Sequence, residues 1–108
     1  MNKHKNKKVT VGDLHFDSLK EALRYGELLE RQKAGSITDL RTQVRFELIP
    51  KQKVERACFY VADFVYKDLD GKTAVEDVKG SKKTLTDVYK IKKKLMLKVH
   101  GIKVKEIF

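Results

Sequence analysis

From Val44 to Leu48 apolar and charged positions alternate, with Val44, Phe46 and Leu48 set against Arg45 and Glu47, until Pro50 ends the run. A period of two is that of a strand with one face in a core and one in water. From Ala57 to Tyr66 and from Thr73 to Gly80 two apolar, β-branched and aromatic runs flank Asp70-Gly71, the signature of a β-hairpin. The period changes elsewhere. Leu19, Ala22, Leu23, Leu28 and Leu29 approximate one face of a helix over Ser18 to Ala34. Ser18-Leu-Lys-Glu21 reads as a capping box at its start, and Gly35 supplies the stop. Leu85, Val88, Ile91, Leu95 and Val99 predict a second amphipathic helix, opened by Thr84-Leu-Thr-Asp87 and closed by Gly101. Short runs at Val9–Val11 and Leu14–Phe16 around Gly12-Asp13 predict a small hairpin, and Ile102 to Phe108 alternates as a final strand. The order is hairpin, α, β, β, β, α, β, an α/β (α+β) fold. Residues 9–108 form one domain, preceded by a basic arm over residues 1–8.

Charge adds a second pattern. The net charge of +10 is concentrated at the ends: residues 1–8 hold 4 lysines and no acid, residues 9–78 hold 11 basic and 13 acidic residues, and residues 79–108 hold 10 lysines and 2 acids. An acidic centre between basic ends suits a polyanion gripped by the ends and a cation-requiring middle. Lysines that merely keep a small domain soluble are the alternative. The single cysteine, Cys58, cannot form an internal disulfide and lies in an apolar run as core packing. No apolar stretch has the length of a membrane span, and the N-terminus lacks a signal-peptide segment, so the expected setting is cytoplasmic.

The hairpin carries charge where buried strands should not. Asp63 interrupts its first strand, and Glu76, Asp77 and Lys79 its second. Closure near Asp70-Gly71 sets Asp63 across from the Asp77/Val78 level. Alternation puts Val75, Asp77 and Lys79 on one face and Glu76 and Val78 on the other, so Asp77 rather than Glu76 is the partner of Lys79, unless a bulge changes the register. Two facing carboxylates repel unless a cation lies between them, and a hard cation such as Mg2+ takes such oxygens while keeping several waters. Lys79 could then orient a water or neutralise a phosphate under attack. A surface ion pair of Asp77 with Lys79 is the alternative reading. Glu21 is accounted for by the capping box on chemistry alone. His4, His15 and His100 have no metal-ligand spacing.

Tyr60-Val-Ala-Asp63-Phe followed by Val75-Glu-Asp77-Val-Lys79-Gly80 resembles the PD-(D/E)XK nuclease superfamily, with Ala62-Asp63 in place of the Pro-Asp half and Asp77-Val78-Lys79 as the (D/E)XK half. The predicted αβββαβ order is similar to that superfamily's restriction-endonuclease-like core, a mixed central sheet flanked by helices. Within it the chain resembles a group of small phage-encoded proteins, through Phe16-Asp-Ser-Leu-Lys-Glu21-Ala22, Gly35-Ser-Ile37, Ala62-Asp63-Phe64 and Val75 to Gly80. The resemblance implies that Glu21 completes a metal site with Asp63 and Asp77, and that Gln43, Tyr89 and Lys93 are accessory polar positions. It departs from the pattern in lacking the proline before Asp63.

The expectation is a Mg2+- or Mn2+-dependent DNA endonuclease. Glu21, Asp63 and Asp77 would bind metal, Lys79 would act on the water or the transition state, and Lys82, Lys83, Tyr89, Lys90, Lys93 and Lys94 would contact DNA. Gln43 and Glu76 remain accessory candidates. A branched substrate such as a Holliday junction, in phage recombination or replication, follows from the resemblance, and symmetric cutting of it would want a homodimer. The alternatives are a nuclease acting on ordinary or nicked duplex, a non-catalytic DNA-binding protein on the same fold, and a structural phage component using its basic faces for assembly.

Overall fold

The structure is a computed structural model describing residues 8–108, and most of the basic arm expected over residues 1–8 lies outside the described residues. Strands β1 (Val9–Val11) and β2 (Leu14–Phe16) pair antiparallel and precede helix α1 (Leu19–Lys33). Strands β3 (Thr38–Ile49), β4 (Cys58–Lys67) and β5 (Thr73–Val78) form an antiparallel meander. Helix α2 (Asp87–His100) then crosses over so that β6 (Lys105–Ile107) pairs parallel with β5, giving a four-stranded mixed sheet of order β3-β4-β5-β6. The fold is mixed α+β with the predicted order of elements.

Helix α1 starts where Ser18, in extended conformation, accepts the Glu21 N–H on its hydroxyl at 3.1 Å. Only that half of the capping box forms, because the Glu21 carboxylate turns to Gln43 instead. Gly35, at φ +83°, closes the helix as Ser36 N–H reaches back to the Arg31 carbonyl. Helix α2 begins later than predicted. Thr84 lies in a 3₁₀ turn over Lys82–Thr84, and the hydroxyl that accepts the Tyr89 N–H is that of Thr86. The last strand is also shorter than the alternation from Ile102 predicted, since only Lys105–Ile107 pair with β5.

Two cores lie on opposite faces of the sheet. Phe64, Tyr66 and Ala74 pack with Ala22 and Leu28 of α1 and Phe16 of β2, whereas Tyr60, Ala62, Val65 and Val75 pack with Tyr89 and Met96 of α2. Both helices are partly rotated from the stripes that periodicity predicted: Ala22, Leu28, Leu85 and Leu95 pack inward as expected, and others of the stripes do not. Leu19 and Leu23 are exposed, and α1 turns Glu21, Ala22 and Leu28 inward with Arg24 largely covered. On α2, Val88, Ile91 and Val99 are exposed while Tyr89 and Met96 are buried. The rotations follow from the polar residues that must face in, Glu21 and Arg24 on one helix and Tyr89 on the other.

The β3–β4 ladder carries a local irregularity that matters for the site. Tyr60 and Ala62 pack on the α2 side, Phe64 and Tyr66 on the α1 side, and Val65 on the α2 side again, so facing changes at Asp63. The partner strand changes with it: Val44, Phe46 and Leu48 pack on the α2 side and Leu40 on the α1 side. Register is the same before and after, with Thr42 opposite Phe64 and Val44 opposite Ala62, because both strands make the change at one rung. That rung is Gln43 opposite Asp63, and Gln43 takes φ +52°, a left-handed conformation that costs a non-glycine residue on the order of 1 kcal/mol.

Candidate active site

The β4–β5 turn fixes how the acids face one another. Asp68 accepts the backbone N–H groups of Asp70 and Lys72, both at 2.9 Å, and Gly71 takes φ +77° to complete the turn. From there Lys67 pairs with Thr73 and Phe64 with Glu76, so Asp63 falls one rung further, beside Asp77 and Val78. The Val78 N–H donates to Asp63 Oδ2 at 2.8 Å, leaving Oδ1 directed at Gln43.

Glu21, Gln43 and Asp63 form one polar group. The Gln43 side-chain amide donates to Glu21 Oε2 at 3.1 Å and to Asp63 Oδ1 at 3.3 Å. Burial, then the negative charge of Asp63 and that of Asp17, push the Glu21 carboxyl up to about 7. Burial also pushes Asp63 up, to about 6; the Val78 N–H opposes the shift and the Asp77 charge adds to it. These are carboxylates held close without enough positive charge among them.

Asp77 belongs to the α2 side of the sheet. Tyr60 OH donates to its Oδ2 at 2.6 Å, and the Lys79 ammonium lies 3.3 Å from its Oδ1. The same ammonium lies 3.7 Å from the centroid of the Tyr89 ring, a cation–π contact. Tyr89 is buried rather than presented to DNA, its hydroxyl donating to Glu106 Oε2 at 2.8 Å while Lys93 pairs with the same oxygen at 3.1 Å. Burial and these carboxylates push the Tyr60 and Tyr89 hydroxyls well above the usual tyrosine range, so both act as donors. Lys79 is also fixed through its backbone, since its N–H donates to the Ile107 carbonyl and its own carbonyl accepts from Lys20 Nζ at 3.0 Å.

Glu76 lies on the opposite face and answers to a different group. Arg24 forks onto it through Nε at 2.8 Å and Nη2 at 2.7 Å, and Tyr66 OH donates to the same carboxylate. Burial opposes ionisation, yet the Arg24 fork and the Tyr66 hydroxyl hold Glu76 below the usual carboxylate range. Glu76 is 1% exposed and fully partnered, so it ties α1 to β5 instead of joining Lys79.

The structure therefore brings together Glu21, Gln43, Asp63, Asp77 and Lys79, and sets Glu76 apart. Lys82, Lys83, Lys90 and Lys94 are exposed around the start and outer side of α2, and Lys93 is half-covered by its pairing with Glu106. Sequence reasoning missed Tyr60 and Glu106, each of which read as an ordinary strand residue. Their signal was positional: Tyr60 precedes Asp63 by three residues, and Glu106 is the β6 partner of Asp77.

Among the described residues no three His, Cys, Asp or Glu side chains already converge as a ligand set for a metal. The donor chemistry nonetheless fits a hard divalent cation. Glu21 and Asp63 are all-oxygen donors, both raised by burial, Glu21 further by the charge of Asp63 and Asp63 by that of Asp77, and a neutral amide hydrogen-bonds to both. A cation there would reverse both shifts.

No described helix is long and apolar enough to cross a membrane. No curated protein and no solved structure matches the chain. Residues 1–107 match the model of the family described as "Protein of unknown function (DUF1064)", and the chain belongs to that family.

Proposed function

We propose that this member of the DUF1064 family is a divalent-cation-dependent DNA endonuclease of the PD-(D/E)XK type, acting on branched DNA. The observation that carries the proposal is the grouping of Asp63, Asp77 and Lys79 on adjacent strands, with Glu21 of α1 joined to Asp63 through Gln43. A relic without chemistry has no physical reason to keep these carboxylates close at the cost of raised pKa values.

Asp63 and Asp77, with Glu21, would hold Mg2+ or Mn2+, which supplies a water of lowered pKa and charge neutralisation at phosphate. The chain's own groups do the rest. Tyr60 and Val78 each occupy one oxygen of Asp77 and Asp63, which orients the remaining oxygens. Lys79 brings a positive charge with three donors next to the acids, where it can orient the attacking water or stabilise the charge that builds on phosphate oxygens. The Tyr89 ring and Asp77 hold that ammonium from two sides. The exposed lysines at the start and outer side of α2 bind flanking phosphates and set orientation without reading sequence.

The test is cleavage of labelled four-way junction, flap, nicked and linear duplex DNA in Mg2+, Mn2+ or EDTA. Metal-dependent scission, strongest on the junction, is expected. Binding with no scission of any substrate in either metal would leave a non-catalytic DNA-binding protein as the better reading. Equal cutting of linear duplex would retain the enzyme and discard the branched substrate.

A further inference from the structure

We infer that the outer edge of β6 forms a second nucleic-acid contact, a lysine-lined groove that takes the phosphate backbone of duplex DNA flanking the point of scission; this rests on the endonuclease reading and extends it away from α2. Three depressions lie along that edge. The first, about 260 Å³, lies between α2 and β6 and is lined by Leu85, Lys90, Lys93, Lys94 and Glu106. The second, about 580 Å³, shares Lys93 and Glu106 with it and adds Lys82, Lys103 and Lys105. The third, about 430 Å³, shares Lys103 and Lys105 with the second and reaches His100 and Lys72 of the β4–β5 turn. Lys93, Glu106, Lys103 and Lys105 each line two of these depressions, which follow one another around the β6 edge, Glu106 on its α2 face and Lys103 and Lys105 on the other.

Most of its charge is without an ion-pair partner, although Lys105 acts at a distance on Glu76, its neighbour on β5. The side-chain carboxylates in the lining, among the described residues, are Asp68 and Glu106. Asp68 is engaged by the N–H groups of its own turn, and Glu106 by Lys93 and Tyr89. Lys72, Lys82, Lys90, Lys94, Lys103 and Lys105 are exposed, and no ion pair within 4.0 Å involves any of them among the described residues. The ammonium groups are spread along the groove, which suits a chain of separated phosphates better than one small anion.

Geometry selects the flanking backbone. Glu106 is the β6 partner of Asp77, and the Lys79 N–H bonds the Ile107 carbonyl, so one end of the groove adjoins the candidate catalytic lysine. From Phe108 back to Lys103 the extended chain covers at most about 20 Å, roughly the rise of five or six base pairs at about 3.4 Å each. The lining offers two aromatic rings among the described residues, Phe108 and the His100 imidazole, and the latter is already held by the Phe46 ring and the Glu47 carbonyl, which argues for backbone contact over a platform of stacked bases. An acidic peptide added to the β6 edge is the rival occupant, and β6 gives it three residues of ladder.

The experiment measures binding of the full chain to a labelled duplex and a labelled four-way junction across a salt series, in EDTA so that no strand is cut. Lys103→Gln/Lys105→Gln is compared with Lys51→Gln/Lys53→Gln, a pair of equal charge in the β3–β4 connection. The groove variant is expected to lower the slope of log affinity against log salt by about 1.8, which, with affinities converging at about 1 M salt, is roughly 60-fold weaker binding at about 0.1 M salt. The control pair should change little. Equal losses in the two variants, or none in either, overturn the groove. Acetylation of wild-type lysines read by mass spectrometry provides a second measurement: DNA should protect Lys72, Lys103 and Lys105, and unchanged labelling at all three overturns the proposal. Wild-type junction cleavage with a groove variant that binds normally would discard the groove and keep the enzyme, whereas absence of cleavage with a deficient groove variant would keep a DNA-binding edge and discard the enzyme.

Discussion

Replacing Glu21 by glutamine should stabilise the protein, by an amount that grows as pH rises above about 4.5 and is complete above about 7. Glu21 is pushed from its ordinary value of 4.5 up to about 7 by burial and by the charges of Asp63 and Asp17. The folded chain then binds this proton more tightly than the unfolded chain does. Stability from this group is therefore greatest below about 4.5 and is lost as pH rises through about 7. At about 1.4 kcal/mol per pH unit, ionising Glu21 in the fold at pH 8 costs about 3 kcal/mol. Asp63, pushed up to about 6, acts in the same direction, but the two groups share Gln43 and their costs do not simply add. Glutamine keeps the shape of Glu21 and an oxygen to accept from Gln43, and it removes the charge. In EDTA, Glu21→Gln should melt with wild type at pH 5 and roughly 10 °C above it at pH 8. Mg2+ should reverse the order by stabilising wild type at pH 8 and leaving the variant nearly unchanged. Circular-dichroism melts at the two pH values, with EDTA or Mg2+, measure all four states. A variant equally destabilised at both pH values would refute the reasoning, because Glu21 would then be a structural cap and not a strained acid.

Three further outcomes test other parts of the site. Tyr89→Phe keeps the ring under Lys79 and loses the bond to Glu106, so cleavage should stay within a few-fold of wild type; Tyr89→Leu removes the cation–π contact and should cost roughly 10-fold or more in kcat. Similar rates in both variants would show that the ring only fills space. Arg24→Met strands a buried Glu76 and should destabilise by about 3–5 kcal/mol in denaturant melts, whereas Arg24→Met/Glu76→Leu should recover much of that loss. Asp77→Asn should abolish scission while leaving DNA affinity in EDTA intact, and Glu76→Gln, where it folds, should still cut; the reverse outcome would mean that the working carboxylate lies on the α1 face.

Most of the element order could be read from the chain, because periods of two and of about 3.6 survive wherever one face is wet. Strand alternation also separated Asp77 from Glu76 correctly, since β5 runs without a bulge. Helix faces were harder to read. Periodicity chose Leu19 and Leu23 for α1 because it scores apolar residues, but the inward positions belong to Glu21 and Arg24, whose partners Gln43 and Glu76 are far away in sequence. On α2 the stripe of Val88 and Ile91 misled in the same way, because Tyr89 had to reach Glu106 and cover Lys79. Polar side chains that bond across elements thus occupied places that a hydrophobic pattern assigns to leucine. The change of facing at Gln43 and Asp63 left no mark in composition at all. It depends on a positive φ at a residue with no special liking for it.

That rung has a mechanical meaning. On one side of it β3 and β4 are clamped by α2, and on the other by α1, so the chain holds two packing units that meet at Gln43 and Asp63. A candidate metal ligand therefore sits on a hinge line instead of inside either unit. Hydrogen exchange should show amides of the two halves opening with separate free energies. Loosening either half would then detune the acids without unfolding the other, which gives substitutions far from the site, in either core, a route to altered cleavage rates.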